Sequence, residues 1–346
     1  MDQRTAIEIM SGRRRGLLPA ALRAGAWVAS KPYAAAAGLR RRLYRAGLFG
    51  AYQAPVPVIS VGNLTTGGTG KTPMVIWLVG WLKEAGMTPA ILTRGYKAVE
   101  GKSDEAEMLW QATGVPVVVD PDRVGAARAA AGSGADVLVL DDGFQHRRLR
   151  RDLDIVLIDA TCPLGFGHCL PRGLLREPLS ALRDADAVVI TRADSVGRQE
   201  LARLSERLSS AAPGASLHRS GHTPTAVVVQ AGRHLPPSAL AGRRLVAFCG
   251  VGNPDSFFDM LAGAGAELAD RIAFDDHVAY GPAERARIDQ AVKDAGAEAA
   301  VTTAKDRVKI APSDLSAALW TVRIEVRVTA GREELLEKVR RAIGRG

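Results

Sequence analysis

The segment Thr65-Thr66-Gly67-Gly68-Thr69-Gly70-Lys71-Thr72 follows directly on the apolar run at residues 56–61 and constrains this chain more than any other stretch. An apolar run that breaks into glycines and then into Gly-Lys-Thr reads as a strand, a phosphate-binding loop and the start of a helix. Glycines let successive backbone N–H groups turn inward around phosphate oxygens. Lys71 would reach the β- and γ-phosphates, and the Thr72 hydroxyl would ligate Mg²⁺. A helix beginning near Lys71 adds the positive end of its dipole. Thr65 stands where the pattern G-x-x-x-x-G-K-[ST] has its first glycine, while Gly67, Gly68 and Gly70 keep the turn. Residues Thr65 to Thr72 are therefore expected to hold a nucleoside triphosphate.

The rest of the chain reads as the α/β frame such a loop needs. Strand-like runs recur at 56–61, 88–93, 115–119, 135–140, 155–158 and 187–190, with helix-compatible stretches at 75–85, 105–113 and 122–131. Their near-continuous apolar character points to a mostly parallel sheet with helices on both faces, the architecture of P-loop NTPases. A second set of strands is expected at 226–230, 245–248, 299–302 and 320–326, and a charged amphipathic helix at 332–343. The Pro-, Gly- and Ser-rich stretch 211–224 reads as a boundary. This gives a basic amphipathic segment at 1–50, a P-loop domain at 51–220 and a smaller C-terminal α/β domain at 221–346. With 346 residues, 47% of them hydrophobic, the chain can bury a full core in each domain. Three scattered cysteines suit a reducing compartment and offer neither a disulfide framework nor a zinc site.

Charge is concentrated at one end. Residues 1–50 hold ten Lys and Arg against Asp2 and Glu8, a net +8 of the chain's +9. The same stretch carries Leu17, Leu18, Leu22, Trp27, Val28, Tyr33, Leu39, Leu43, Leu48 and Phe49. Leu39, Leu43 and Ala46 share one helical face, and Arg40, Arg41 and Arg45 point elsewhere. Arginines beside apolar residues, Trp and Tyr describe a helix lying in an anionic membrane interface rather than a nucleic-acid arm. A helix pair packed on the protein's own body is the alternative. No run of about 18 apolar residues is present, so a spanning helix is not expected.

Downstream of the loop, residues 137–140 form an apolar strand ending in Asp141 and Asp142. Acids at a strand's carboxyl end beside a phosphate loop can hold Mg²⁺ directly or through water. Adjacent acids point to opposite sides of an extended chain, so their roles differ, and spacing does not say which one touches the metal. The polar loop Gly143-Phe144-Gln145-His146-Arg147-Arg148-Leu149 is placed to contact a substrate. Arg94, Arg147, Arg148 and Arg172 are each able to meet a transferring phosphoryl group, with a slight preference for Arg94. Ile190-Thr191-Arg192-Ala193-Asp194 loosely resembles the [NT]-K-x-D element that reads guanine, with Arg192 in place of lysine. That supports a rival reading as a P-loop GTPase or ATPase switch of the metallochaperone or targeting class.

Taken jointly, these motifs resemble one family. Val61-Gly62-Asn63-Leu64-Thr65, Gly67 to Pro73, Thr93-Arg94-Gly95-Tyr96, Ser103-Asp104-Glu105 and Asp141-Asp142-Gly143-Phe144-Gln145-His146 occur in order. They are followed by Gly250-Val251-Gly252-Asn253-Pro254, Phe274-Asp275-Asp276-His277 and Thr303-Ala304-Lys305-Asp306. Together they look like the tetraacyldisaccharide 4′-kinases, and that family's own loop carries the non-glycine first position. The resemblance implies ATP- and Mg²⁺-dependent transfer of a γ-phosphoryl group to the 4′-hydroxyl of a lipid A disaccharide 1-phosphate. It implies peripheral attachment at the cytoplasmic face of a bacterial inner membrane, and no obligate protein partner is evident. It also implies that Asp104 is the catalytic acid–base residue, with His277 as its partner. Asp104 would accept the hydroxyl proton during in-line attack, and His277 would orient it. The two domains would close over the phosphates to bring the pair together and exclude water.

Overall fold

A computed structural model of the chain describes residues 3–95, 104–229, 232–275 and 278–344. It folds into two compact units, Met1–Gly221 with Val328–Gly346, and His222–Arg327. The first begins with α1 (Gln3–Ser11) and α2 (Leu17–Arg45). There follow β1 (Val58–Asn63), α3 (Lys71–Glu84), β2 (Pro89–Thr93), α4 (Asp104–Thr113), β3 (Val117–Val119) and α5 (Arg123–Gly132). The chain continues through β4 (Val137–Asp141), β5 (Leu153–Asp159), β6 (Ala187–Thr191), α6 (Arg198–Ala211) and β7 (Ser216–Val228). Strands lie in the order β3-β2-β4-β1-β5-β6-β7, every pair parallel.

Burial explains why these runs are largely apolar. In β1, β2, β4, β5 and β6 every residue is buried. Val58, Ala90, Leu92, Leu138 and Leu140 pack with Ala126, Ala127 and Ala130 of α5. Ile59, Val61, Ile91 and Val139 alternate with them along the pleat and are equally buried. Both faces of this sheet are thus covered, as expected. Register sets the site: Val61 stands beside Asp141 in the β1–β4 pair, so the loop after β1 and the acids after β4 leave the sheet side by side.

The second unit holds β8 (His234–Leu235), β9 (Arg244–Cys249), α7 (Pro254–Gly263), β10 (Glu267–Ala273), α8 (Pro282–Ala295), β11 (Ala299–Thr303) and α9 (Ala304–Arg307). β12 (Leu319–Ala330) then returns the chain to the first unit, where α10 (Arg332–Ala342) closes it. Strands β10, β9, β11 and β12 are parallel neighbours. Leu245, Ala247 and Cys249 pack with Phe257 and Leu261, and the alternating Val246 and Phe248 pack with Tyr280 and Ile288.

The division between the two units, after Gly221, falls within the stretch 211–224, which is strand from Ser216 onward: Ser216 to Arg219 pair in register with Ala187 to Ile190. Two features differ from the sequence expectation. Residues 328–346, expected with the C-terminal domain, belong to the first unit, since α10 packs on β1 and β5. Strand β10 carries the mixed sequence ELADRIA with only Ile272 buried, and so has no apolar signature to read.

At the N-terminus α2 is a single helix of 29 residues that runs through Pro32. Leu17, Leu18, Leu22, Trp27, Val28 and Leu39 are exposed along it. Its other side is fastened to the body. Arg41 donates to the Ser180 carbonyl at 2.6 Å and stands 3.7 Å from Asp184, and Arg45 is 3.9 Å from the same carboxylate. Asp184 also accepts from Arg147 at 2.9 Å, and Arg147 reaches Glu177 at 3.3 Å. α1 is held where Arg172 donates to the Met10 carbonyl at 2.8 Å.

Candidate active site

The loop between β1 and α3 is built from both ends of its neighbourhood. Gly67 and Gly70 adopt φ of +113° and +86°, conformations that residues with a Cβ rarely take. Inside the turn, Asn63 donates from Nδ2 to the Thr69 hydroxyl at 2.7 Å. From outside, the Thr191 hydroxyl donates to the Thr69 carbonyl at 2.9 Å, and Arg192 donates to the Gly68 carbonyl at 2.9 Å. The opening of the loop is tied to residues 174–176: Thr66 N–H donates to the Leu174 carbonyl, and Arg176 N–H to the Leu64 carbonyl. Lys71 opens α3 after the left-handed Gly70, so its amine and the first free N–H groups of the helix share one mouth.

The two acids after β4 separate cleanly. Asp142 has a left-handed φ of 53° and lies 3.6 Å from Lys71 Nζ, while Arg176 donates to both its oxygens at 2.7 and 2.9 Å. Burial works to raise the Asp142 carboxyl, but Lys71 and Arg176 outweigh it and hold it below the usual range. Asp141 is 1% exposed; one oxygen accepts from the Thr93 hydroxyl at 3.4 Å and the other has no hydrogen-bond partner. Burial, then the nearby Glu105 carboxylate, push Asp141 well above the carboxylate range against the pull of Lys71. Glu105 accepts from the Thr72 hydroxyl at 3.3 Å.

These residues fit a magnesium ion. Thr72, Glu105 and Asp141 are hard oxygen donors, and an orphaned buried carboxylate oxygen is what a cation would satisfy. Among the described residues no group of three or more His, Cys, Asp and Glu forms a metal cage. Mg²⁺ is commonly held by one or two carboxylates, with phosphates and water completing its shell.

Thr65 to Thr72, Asp141 and Asp142 thus converge at the carboxyl ends of β1 and β4. Asp104 opens α4, next to Glu105, and His277 lies outside the described residues. Of the four candidate arginines, Arg147 is spent on the Glu177 and Asp184 pairs, Arg148 pairs with exposed Asp122, and Arg172 binds Met10. Arg94 stands exposed at the end of β2. Arg176, absent from the sequence expectation, is the arginine beside Lys71. Its surroundings, Leu174-Leu175-Arg176-Glu177, carry no signal that spacing could have read.

Parallel strands with a phosphate loop after the central one, and a carboxylate at the end of its neighbour, define a P-loop nucleotide-binding protein. The chain belongs to the tetraacyldisaccharide-1-P 4′-kinase family, whose model matches residues 22–343. This bears out the resemblance read from the motifs. The tetraacyldisaccharide 4′-kinase of Geobacter metallireducens is 44% identical over 82% of this chain and 88% of its own length. That of Anaeromyxobacter dehalogenans strain 2CP-C is 39% identical, covering 93% and 91%. The crystal structure of an "apo" form of LpxK from Aquifex aeolicus in complex with ATP superposes with a TM-score of 0.72. It is 28% identical and covers 93% of this chain and 99% of that one.

Proposed function

We propose that this protein is an ATP-dependent lipid kinase that phosphorylates the 4′-hydroxyl of a tetraacyldisaccharide 1-phosphate in lipid A synthesis. Family membership supports the reaction, and one observation in the site supports the donor half of it. Lys71, the α3 N-terminus and the orphaned Asp141 oxygen meet at one loop mouth.

The residues then divide the work. The amides of residues 65–72 and Lys71 bind the phosphates, and Lys71 exchanges Asp142 for phosphate oxygens as they enter. Arg176 keeps Asp142 neutralised during that exchange. Thr72 and Asp141 would hold Mg²⁺, with Glu105 behind Thr72, and the ion would supply neutralisation of charge on the transferring phosphates. Asp104 takes the proton from the attacking sugar hydroxyl at its carboxylate, and His277 orients it. Phosphoryl transfer asks little covalent chemistry of a protein, so positioning and charge supply most of the rate.

No helix of the described residues is long and apolar enough to cross a membrane. The exposed Leu17, Leu18, Leu22, Trp27 and Val28 on α2, with Lys31 stacked 4.3 Å from the Trp27 ring, support peripheral attachment to an anionic leaflet where the acyl chains of the acceptor lie. We assign that leaflet to the cytoplasmic face of the inner membrane, where ATP is available.

Incubation with ATP, Mg²⁺ and detergent-dispersed tetraacyldisaccharide 1-phosphate should give the bis-phosphorylated lipid. Lys71→Ala should lower the rate at least ~10²-fold, since a charge partner of the transferring group is lost. Hydrolysis of GTP with no lipid product would overturn the kinase reading in favour of a switch protein.

A further inference from the structure

The element Thr191-Arg192, which sequence reading set aside as a guanine-reading motif, has a different partner in the structure. It grips the phosphate loop from behind. We propose that Arg192 and Thr191 are positioning residues for ATP, acting as an external clamp that fixes the planes of two loop peptides. The proposal rests on the kinase reading above and assigns residues that never touch the nucleotide's reacting atoms.

The peptide bond is planar, so the direction of a carbonyl fixes the direction of the next residue's N–H. Capturing the Gly68 carbonyl with Arg192 sets the plane that carries the Thr69 N–H, which here donates to the Gly67 carbonyl at 3.1 Å. Capturing the Thr69 carbonyl with Thr191 sets the plane that carries the Gly70 N–H. These two peptides lie between Gly67 and Gly70, whose left-handed φ of +113° and +86° mark glycine-dependent turns that cost conformational entropy to order. The clamp removes that freedom before ATP arrives.

Arg192 is itself held at some cost. It is a non-glycine residue with φ of 52°, in the left-handed region, and its Nε is buried without a hydrogen-bond partner. Such strain persists where the surroundings over-determine it, and it concentrates at functional sites. The surroundings here are an ion pair from Nη1 to Asp159 and the bond from Nη2 to Gly68. Asp159 is in turn fixed at the end of β5, accepting from the Thr161 N–H at 3.0 Å and hydroxyl at 2.7 Å. Two acceptors in different directions suit the planar fork of a guanidinium, which accounts for arginine in place of lysine.

The test is ATP·Mg²⁺ affinity of the full chain by calorimetry, set beside steady-state kinetics. Arg192→Ala should weaken ATP binding about tenfold or more, the worth of one charge-assisted hydrogen bond. At saturating ATP, kcat and the KM for the lipid should stay within about twofold, because the clamp acts before the chemistry. Arg192→Lys should recover part of the lost affinity. Thr191→Val keeps the approximate side-chain volume and removes the hydroxyl, and should weaken ATP binding several-fold in a chain that still folds. In a double-mutant cycle, Asp159→Asn and Arg192→Ala should be strongly non-additive in ATP affinity. Unchanged ATP affinity in folded Arg192→Ala and Thr191→Val would sink the proposal, as would an equal loss for lipid and nucleotide. Failure of the wild-type chain to bind ATP would instead overturn the kinase reading.

Discussion

Gly62 lies on β1 immediately before the phosphate loop, and its replacement by alanine tests how tightly the two halves of the donor site are packed. A Cβ placed there would sit 2.6 Å from the Phe144 Cβ, 2.8 Å from its backbone nitrogen and 3.2 Å from its Cα. Ordinary contact begins near 3.4 Å, so the backbone of Phe144 must retreat by about 0.8 Å. Phe144 is fully buried, and two residues before it stands Asp142, in its left-handed turn between Lys71 and Arg176. Overpacking of this kind costs about 1–3 kcal/mol. Each kcal/mol lowers the melting temperature of a domain this size by roughly 2–4 °C, which gives a loss of about 2–12 °C in a thermal scan. The same displacement moves Asp141 and Asp142 against the loop, and an error near 1 Å in a positioned group can cost ~10²-fold in rate. Purified Gly62→Ala should therefore lose both melting temperature and kcat. A variant that melts and turns over like the wild type would show that β1 and the 141–144 turn are not in rigid register.

Asp104→Ala should lower kcat by about 10²–10⁴-fold while ATP affinity changes little, measured by turnover and calorimetry on the same preparation; normal turnover removes Asp104 as the base. Burial, with Arg123, Arg151, Arg148 and Arg40, pushes His146 down to about 4. An unfolded histidine titrates near 6.5, so the unfolded chain takes the proton first. The stability contribution is complete above that value and is lost as pH falls towards 4. Urea unfolding at pH 7.5 and 5 should show a loss of up to about 2 kcal/mol from this group, and His146→Gln should lack that part of the slope. Leu18→Glu with Leu22→Glu should release the protein from anionic vesicles in a flotation assay, each leucine removing about 1.5–3 kcal/mol of apolar burial; undiminished binding would place the membrane contact elsewhere.

Local patterns that answer to one physical demand were legible in the sequence. Strands buried on both faces are apolar at most positions, which is why the central runs of β1, β4 and β5 could be read from the sequence, while the buried polar residues Ser60, Asn63, Asp154 and Asp159 within β1 and β5 and at their ends could not. The phosphate loop was legible because glycine, lysine and threonine each do something no other residue does there. What stayed hidden depends on tertiary register. That Asp142 is taken up by Lys71 and Arg176 while Asp141 keeps an oxygen without a hydrogen-bond partner follows from the left-handed turn at Asp142 and from Arg176, 34 residues further on. Glu105 stood beside a recognised Asp, but its bond to Thr72 spans 33 residues of chain. Arg192 was noticed for the wrong reason, since a motif shows which residues recur and not which partner they serve.

The ion pairs beneath α2 bear on how modular this protein is. Arg41 and Arg45 share Asp184 with Arg147, which also serves buried Glu177, the chain neighbour of the arginine that neutralises Asp142. Burial already raises the Glu177 carboxyl against the pull of Arg147. A chain trimmed before residue 50 would leave Arg147, among the described residues, as the remaining partner of two carboxylates near Arg176. The N-terminal helix is therefore no interchangeable tether. Its inner arginines belong to the charge balance of the first unit, so a shortened form would be an enzyme with altered electrostatics near its phosphate loop.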